Sequence, residues 1–239
     1  MKKLSEKTAL ITGGSKGIGY GIAESLLKEG VKVAITSRSL ERAKQAAQQL
    51  EKLGAGEVMA LEADVRNMDS QQAAVKQLLE RWGELDILIA NAGLGHFAPI
   101  EEMTSEQWNE TIDTNLTGVF YSVKAALSAL KSSEGYIITI SSLAGTNFFA
   151  RGAAYNASKF GLTGFSQAIM LDLRHYGVKV TTIMPGSVTS HFNDHQPSPE
   201  DAWKIQPEDL GKMCVDLLQM HPRTLPSKIE VRPSQPPKK

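Results

Sequence analysis

The sequence has little cysteine, no excess of one charge sign and no long apolar run. Cys214 is its only cysteine, which excludes an internal disulfide framework and a zinc site built from several thiolates. Lysine and arginine together number 26, as do aspartate and glutamate, so no basic excess favours nucleic-acid binding. The first apolar run, Thr8–Ile11, is far too short for a secretion signal or a membrane span. We expect a soluble cytoplasmic protein with neither a nucleic-acid nor a membrane partner.

Short β-branched runs alternate with longer stretches of helical periodicity along the chain. The alternation is typical of βαβ units, which build a parallel sheet with helices on both faces. The predicted strands are Thr8–Thr12, Val31–Thr36, Glu57–Glu62, Asp86–Ala90, Tyr136–Ser141, Val178–Met184 and Lys228–Val231. The predicted helices are Gly17–Glu29, Leu40–Leu53, Asp69–Trp82, Ser105–Leu130, Ala153–Tyr176 and Glu208–Met220. We therefore predict an α/β chain, a single-domain doubly wound (Rossmann) fold over residues 1–239.

Two segments break this rhythm. Residues 187–207 hold three of the ten prolines and show no clear period, which favours a functional loop, interpreted here as a substrate lid. His191 and His195 lie four residues apart in this lid, but no carboxylate or cysteine pattern completes a metal site, so none is predicted. Residues 233–239 lack apolar side chains and are expected to form a flexible tail.

A glycine-rich turn follows the first predicted strand and leads directly into the first predicted helix. It consists of Thr12, Gly13, Gly14, Ser15, Lys16, Gly17, Ile18 and Gly19. Glycines let the backbone approach a pyrophosphate closely, and the helix N-terminus supplies positive potential for its charge. The position of this turn in the βαβ unit predicts a dinucleotide site.

The G-x-x-x-G-x-G spacing, together with Thr12, resembles the short-chain dehydrogenase/reductase family. Asp64 and Val65 resemble its adenine-contacting pair, and Asn91, Ala92 and Gly93 match its N-A-G signature. The element that holds the nicotinamide carboxamide in the family is resembled by Pro185, Gly186, Ser187, Val188 and Thr189. The resemblance covers residues 7 to about 190 and implies a nicotinamide dinucleotide cofactor.

The end of the second predicted strand indicates which nicotinamide cofactor is used. Folds that prefer NAD usually place an acidic residue there, but this chain has Ser37 followed by Arg38. A guanidinium can bind a 2′-phosphate that a carboxylate would repel. Lys16 lies where the resemblance implies a second basic contact. We therefore predict NADP(H) rather than NAD, the alternative being that both cations are solvated surface charges.

Four residues match the family's catalytic tetrad residue by residue. Tyr155 and Lys159 are four apart near the start of a predicted helix and share one face. Ser142 follows the fifth predicted strand, and Asn115 lies within the preceding helix. Ser141, next to Ser142, competes for the same role, and only the spacing to Tyr155 chooses between the two.

The chemistry of carbonyl reduction explains these residue types. The carbonyl oxygen must receive a proton as hydride arrives, and Tyr155 is the candidate acid. A free phenol has a pKa near ~10, so we expect the Lys159 ammonium and the oxidised nicotinamide to lower the pKa of Tyr155. Ser142 can donate a hydrogen bond to the same oxygen. By resemblance, Lys159 also binds the nicotinamide ribose, and Asn115 anchors a water that relays protons.

The predicted substrate pocket lies at the carboxyl ends of the strands, where open α/β sheets bind ligands. Its predicted wall is mostly apolar and aromatic and consists of His96, Phe97, Leu143, Phe148, Phe149, Phe192 and Trp203. Such a wall suits a ketone or aldehyde with a hydrophobic or aromatic body. Each aromatic ring has the alternative of packing in the core.

Three functions are compared. The short lid and the C-terminal residues 225–233, which lack the pattern T-G-x-x-x-x-V-D-G-G, favour an NADP-preferring carbonyl or sepiapterin-like reductase over a 3-oxoacyl-carrier-protein reductase. A non-catalytic nucleotide-binding regulator or scaffold protein is the alternative from another class, and the intact tetrad argues against it.

The predicted helices 105–130 and 153–176 carry apolar residues beyond one stripe, and the resemblance implies a dimer face there. We expect a homodimer or homotetramer.

Overall fold

Seven parallel strands form one sheet in the computed structural model, which describes residues 2–53, 55–190, 192 and 195–235. The strands are β1 (Thr8–Ile11), β2 (Lys32–Ser37), β3 (Val58–Glu62), β4 (Ile87–Ala90), β5 (Tyr136–Ile140), β6 (Lys179–Pro185) and β7 (Lys228–Val231). Their order across the sheet is β3-β2-β1-β4-β5-β6-β7, and every neighbouring pair is parallel. The predicted doubly wound fold is therefore confirmed.

Helices cover both faces of the sheet. They are α1 (Gly17–Lys28), α2 (Leu40–Leu50), α3 (Met68–Trp82), α4 (Ser105–Ile112), α5 (Gly118–Ser132), α6 (Ala153–Leu173) and α7 (Pro207–Gln219). Strand side chains alternate between two cores: Ile11 packs with α1, α2 and α7, whereas Leu10 packs with α3, α5 and α6. Both faces are apolar because a parallel sheet is buried on both sides.

Two of the predicted helices have different bounds. The predicted helix over 105–130 is helical throughout, but a π-helical turn, Asp113–Thr117, lies inside it between α4 and α5. The Gly118 amide donates to the Asp113 carbonyl five residues earlier, so this turn holds one more residue than an α-helical turn. The predicted helix 153–176 ends as α6 at Leu173 and continues as a short 3-10 turn, Arg174–Tyr176.

The chain order reverses next to β1, which lies between β2 and β4. Such a reversal opens a crevice at the carboxyl ends of the strands, where doubly wound folds bind their ligands. Most of the predicted site residues follow β1, β4, β5 and β6 at this edge. His191 of the predicted lid and residues 236–239 of the predicted tail lie outside the described residues. Over the part of the chain that is described, no helix is both long and apolar enough to cross a bilayer.

Candidate active site

A hydrogen-bonded clasp joins the glycine-rich turn after β1 to the turn after β4. The Thr12 hydroxyl accepts from the backbone amides of Asn91 and Ala92 at 3.0 and 3.1 Å. The Asn91 side chain donates to the carbonyls of Thr12 and Gly13 at 2.9 and 3.1 Å. A Cβ added to Gly19 would lie 2.5 Å from the Asn91 amide nitrogen. The turn therefore requires glycine at this position, for close packing and not for flexibility alone.

The same turn places the N-terminus of α1 at the crevice. Gly13 and Gly17 have positive φ angles of 66° and 58°, which turn the backbone tightly before the helix starts. Lys16 precedes α1 with an exposed side chain that makes no capping hydrogen bond, and no acidic residue occupies the first turn. Ser15 and Ile18 are half-buried in this turn. An uncapped helix N-terminus behind a glycine turn fits the pyrophosphate of a dinucleotide.

Basic and acidic side chains face one another beyond β2 and β3. Arg38, which follows Ser37 at the end of β2, is exposed, and its Nη1 lies 3.8 Å from Glu110 Oε1. Asp64 pairs with the Arg66 guanidinium at 2.7 Å and also accepts from the Arg66 backbone amide. The hydrogen bonds from Arg66 hold the pKa of the Asp64 carboxyl below its usual range. The predicted adenine contact Asp64 is thus already held by a neighbouring arginine.

Tyr155 and Ser142 meet at the end of β5. Ser142 Oγ accepts from the Ala144 amide at 3.1 Å, which leaves the hydroxyl hydrogen free to donate. Burial raises the pKa of the Tyr155 phenol, and the Ser142 hydroxyl beside it partly opposes the rise. Ser141, the competing serine, instead turns inward and bonds to the Lys159 carbonyl at 3.3 Å. Of the two serines, Ser142 is the one beside the phenol.

Lys159 lies one turn of α6 beyond Tyr155 and is almost fully buried. Its Nζ donates to the Ile140 carbonyl at 3.0 Å and lies 5.7 Å from the centre of the Tyr155 ring. Burial lowers the pKa of Lys159 from 10.5 to about 8. In the chain alone, burial raises the pKa of the Tyr155 phenol, and the expected lowering by the ammonium and the oxidised nicotinamide together stays a prediction.

Asn115 lies in the π-helical turn and is completely buried. Its side chain accepts from the Leu94 amide at 2.9 Å and donates to the Leu94 carbonyl at 2.7 Å. It also donates to Ser158 Oγ at 3.0 Å. A Cβ on Gly93 would lie 3.2 Å from Asn115 Oδ1 and 3.7 Å from Lys159 Nζ. The side chain of Asn115 thus ties the turn after β4 to α6, next to the buried ammonium.

Val65, the other predicted adenine contact, is also buried and packs on Gly118, directly after the π-helical turn.

Aromatic rings surround Tyr155. The centre of the Phe97 ring lies 5.4 Å from that of Tyr155, and the centre of the Phe192 ring lies 5.5 Å from it. Phe149 contacts Phe97 at 5.8 Å. A Cβ on Gly95 would lie 2.8 Å from both the Phe97 and the Phe192 ring, so glycine permits their approach. These rings give Tyr155 an aromatic wall.

The remaining residues of the predicted pocket have other surroundings. Phe148 is 86% exposed. His96 bonds to Glu110 Oε2 at 2.9 Å. Trp203 lies beside Lys204, whose Nζ is 5.9 Å from the ring centre. Leu143 is the nearest neighbour of a Cβ built on Gly186, at 3.1 Å.

The segment after β6 is held by the far end of the predicted lid. The Gly186 amide donates to the Val231 carbonyl at 2.8 Å, and Val188 bridges to Ile205. Thr189 donates to the Asp201 carbonyl at 3.2 Å and accepts from the Gln206 amide. The Asp201 carboxylate bonds Lys204 and His195, at 2.5 and 2.6 Å, and these partners hold its pKa well below the usual range.

Three polar residues of this region were missed by the sequence analysis. Asn156 donates to the carbonyls of Ala144 and Asn147, both at 2.8 Å, and so fixes the loop after Ser142 on α6. Arg66 and Glu110 form an ion pair at 3.5 Å beside Arg38. In the sequence, only its position directly after Tyr155 could have indicated that Asn156 belongs to this region. A charged residue on a helix surface, such as Glu110, carries no signal in one sequence.

Comparison with known proteins identifies close similarities over nearly the full chain. The family model described as short chain dehydrogenase matches residues 7–201. An uncharacterized oxidoreductase of Staphylococcus saprophyticus is 33% identical over 238 residues, which cover 98% of this chain and 100% of the relative. The trans-4-hydroxycyclohexanecarboxylate dehydrogenase of Sinomonas cyclohexanicum is 37% identical over 191 residues, 78% of this chain and 74% of that protein.

A solved structure shows the same architecture. The alcohol dehydrogenase from the archaeon Thermococcus sibiricus, complexed with 5-hydroxy-NADP, superposes with a TM-score of 0.90 at 29% identity. The match covers 98% of this chain and 99% of that one.

The buried charge of Lys159 predicts a pH-dependent effect on stability. Below pH 8 the ammonium is charged in both folded and unfolded chains, and burying it costs about 3 kcal/mol. Lys159→Met removes that cost but loses the hydrogen bond to Ile140, about 1 kcal/mol. We expect the free energy of unfolding at pH 7 to rise by about 2 kcal/mol. Urea titrations should show the gain shrinking as the pH increases from about 8 to 10.5.

The matched control is Lys76→Met, because Lys76 is 76% exposed on α3 and its charge is solvated. This control should leave stability within about 0.5 kcal/mol at every pH. A Lys159→Met chain less stable than wild type at pH 7 would contradict the assignment of a destabilising buried ammonium.

Proposed function

Because the chain belongs to the short-chain dehydrogenase/reductase family, we propose that it is an NADPH-dependent reductase of ketones or aldehydes. It is an oxidoreductase of that family, whose members act on small molecules with a nicotinamide cofactor. The proposal for the reaction rests on one observation above all: the partly buried Tyr155 phenol beside the Ser142 hydroxyl, one helical turn from the Lys159 ammonium. A cytoplasmic location is part of the proposal, supported by the buried free thiol of Cys214.

The proposed mechanism assigns one task to each side chain. A bound nicotinamide supplies the hydride. Tyr155 donates a proton to the carbonyl oxygen, and its raised pKa keeps the phenol protonated at neutral pH, as reduction requires. Ser142, whose hydroxyl hydrogen is free, donates a hydrogen bond to the same oxygen. Lys159 keeps a positive charge near the phenol, which stabilises the phenolate left after proton transfer.

The substrate is proposed to carry a hydrophobic or aromatic body. This is supported by Phe97, Phe149 and Phe192, which form a continuous aromatic wall at the Tyr155 ring. The apolar body of an aromatic or aliphatic ketone can pack against these phenylalanine rings, because neither surface carries polar groups that would lose their hydrogen bonds.

Replacing Tyr155 by Phe tests the proposed acid. The change keeps the ring and its aromatic contacts but removes the donated proton. We expect turnover of a carbonyl panel with NADPH to fall by at least about 100-fold, with NADPH binding largely kept. Retention of more than about a tenth of the wild-type kcat would exclude Tyr155 as the principal acid. If wild type itself turns over no carbonyl, a non-catalytic nucleotide-binding role becomes the better description.

The preference for NADPH is proposed from Ser37 and Arg38, at the crevice end of β2. The similarity to an enzyme complexed with 5-hydroxy-NADP supports it. The exposed Arg38 guanidinium can form charge-assisted hydrogen bonds with a 2′-phosphate, and Lys16 adds a second exposed cation.

Charge reversal at this position tests the preference. In the Ser37→Asp/Arg38→Ala variant a carboxylate repels the 2′-phosphate and can accept from the ribose hydroxyls. We expect the NADPH to NADH ratio of kcat/KM to fall by about 100-fold. Arg42→Ala, at an exposed arginine on α2, is the control and should leave the ratio unchanged. A wild-type chain that uses NADH equally well would overturn the assignment.

We also propose that the chain forms a homodimer or a homotetramer through α5 and α6. These helices border a groove of about 390 Å³, and Phe120 and Phe160 on them are 42% and 44% exposed. Large apolar side chains left in water favour burial against another surface. A second copy of the chain presents the same two helices.

Light scattering at micromolar protein tests this face. We expect a mass of at least twice 26.0 kDa for wild type. Phe120→Asp should shift the mass toward that of the monomer, because a carboxylate resists burial in an apolar interface. Leu53→Asp, at a residue 47% exposed after α2, is the control and should keep the wild-type mass. A monomeric wild type would refute the proposed oligomer.

A further inference from the structure

A single carboxylate on α4 lies between three basic side chains. Glu110 Oε1 is 3.8 Å from Arg38 Nη1 and 3.5 Å from Arg66 Nη1. Its second oxygen, Oε2, lies 2.9 Å from His96 Nε2. Glu110 therefore touches Arg38, the proposed contact of the 2′-phosphate, and also His96, which lies near the turn after β4.

Glu110 remains ionised in these surroundings. The hydrogen bond from His96 is the main cause that lowers the pKa of the Glu110 carboxyl, and the charges of His96, Arg66 and Arg38 add to it. Because the carboxyl is deprotonated at neutral pH, it presents a full negative charge at the mouth of the crevice. That charge lies beside Arg38, the proposed contact of the 2′-phosphate.

The two arginines differ in how firmly they are held. Arg66 makes several hydrogen bonds with Asp64, at distances of 2.7 to 3.2 Å, in addition to its contact with Glu110. Arg38 is 61% exposed, and among the described residues Glu110 is the one carboxylate within ion-pair distance of it. A ligand can therefore draw Arg38 away far more easily than Arg66.

We propose that Glu110 is a specificity-determining residue of the cofactor site, because it competes with the 2′-phosphate for Arg38 and so limits the preference for NADPH. This inference rests on the proposed use of NADPH. A ligand with a 2′-phosphate must replace the Glu110 contact of Arg38 and accept the nearby negative charge. A ligand without that phosphate does neither. The pair of Arg38 and Glu110 thus sets the size of the preference, which neither residue determines alone.

Binding of two nicotinamide-free probes tests this role without catalysis. Adenosine 2′,5′-bisphosphate carries the 2′-phosphate, and adenosine 5′-monophosphate lacks it. Isothermal titration calorimetry gives the Kd of each for wild type and for Glu110→Gln, which keeps the side-chain length and can still bond to His96. We expect Glu110→Gln to bind the bisphosphate about fivefold more tightly, because an exposed ion pair is worth up to about that factor. The Kd of the monophosphate should stay within about twofold.

Glu106→Gln is the matched control. Glu106 lies one turn earlier on α4, and its carboxylate forms hydrogen bonds with its own backbone and with the Thr104 side chain. It removes the same charge and should leave both constants unchanged. In an Arg38→Ala background, Glu110→Gln should lose its effect on the bisphosphate, because the competition acts through Arg38.

The outcomes separate this inference from the proposed function. If wild type binds both probes equally, the NADPH preference is wrong and the role of Glu110 falls with it. If wild type prefers the bisphosphate and Arg38→Ala abolishes that preference, the cofactor assignment stands. In that case an equal effect of Glu110→Gln and Glu106→Gln, weaker bisphosphate binding by Glu110→Gln, or a gain that persists without Arg38 would overturn the competition.

Discussion

The clasp between Thr12 and Asn91 is the contact on which the site depends. β1 and β4 are neighbours at the reversal of the sheet, and four hydrogen bonds join the turns that follow them. The clasp shapes the glycine-rich turn before α1. It also fixes the start of the turn that brings Gly93 against Asn115 and Lys159. The proposed nucleotide crevice and the candidate catalytic residues are therefore built on one hydrogen-bonded junction, not on two independent loops.

Much of this arrangement could be predicted from the sequence because its signals are local. The strand runs, the glycine-rich turn and the spacing of Tyr155 and Lys159 depend on neighbours in the chain, and the sheet confirms the strands to within one residue. The π-helical turn Asp113–Thr117 could not be predicted, because helical periodicity alone does not locate a single extra residue inside a long helix. Glu110 could not be identified either, since its partners come from β2, the loop after β3 and the turn after β4.

The direction of the Tyr155 pKa shift could not be predicted from residue spacing either, because it depends on burial. Four residues along a helix bring Tyr155 and Lys159 to one face, but spacing says nothing about how deeply either is buried. The Lys159 ammonium points to the Ile140 carbonyl, and its charge lies 5.7 Å from the centre of the Tyr155 ring. Desolvation therefore dominates both groups, raising the pKa of the phenol and lowering that of the ammonium.

This shared burial gives the proposed proton transfer a physical direction. Before transfer, Lys159 is a buried cation whose only hydrogen-bond partner, among the described residues, is the neutral Ile140 carbonyl. An unpaired buried charge is unfavourable, and it becomes less so when an opposite charge forms nearby. Loss of the Tyr155 proton creates that opposite charge one helical turn away. The attraction between the phenolate and the Lys159 ammonium therefore offsets part of the free-energy cost of burying Lys159, and it does so at the proton-transfer step.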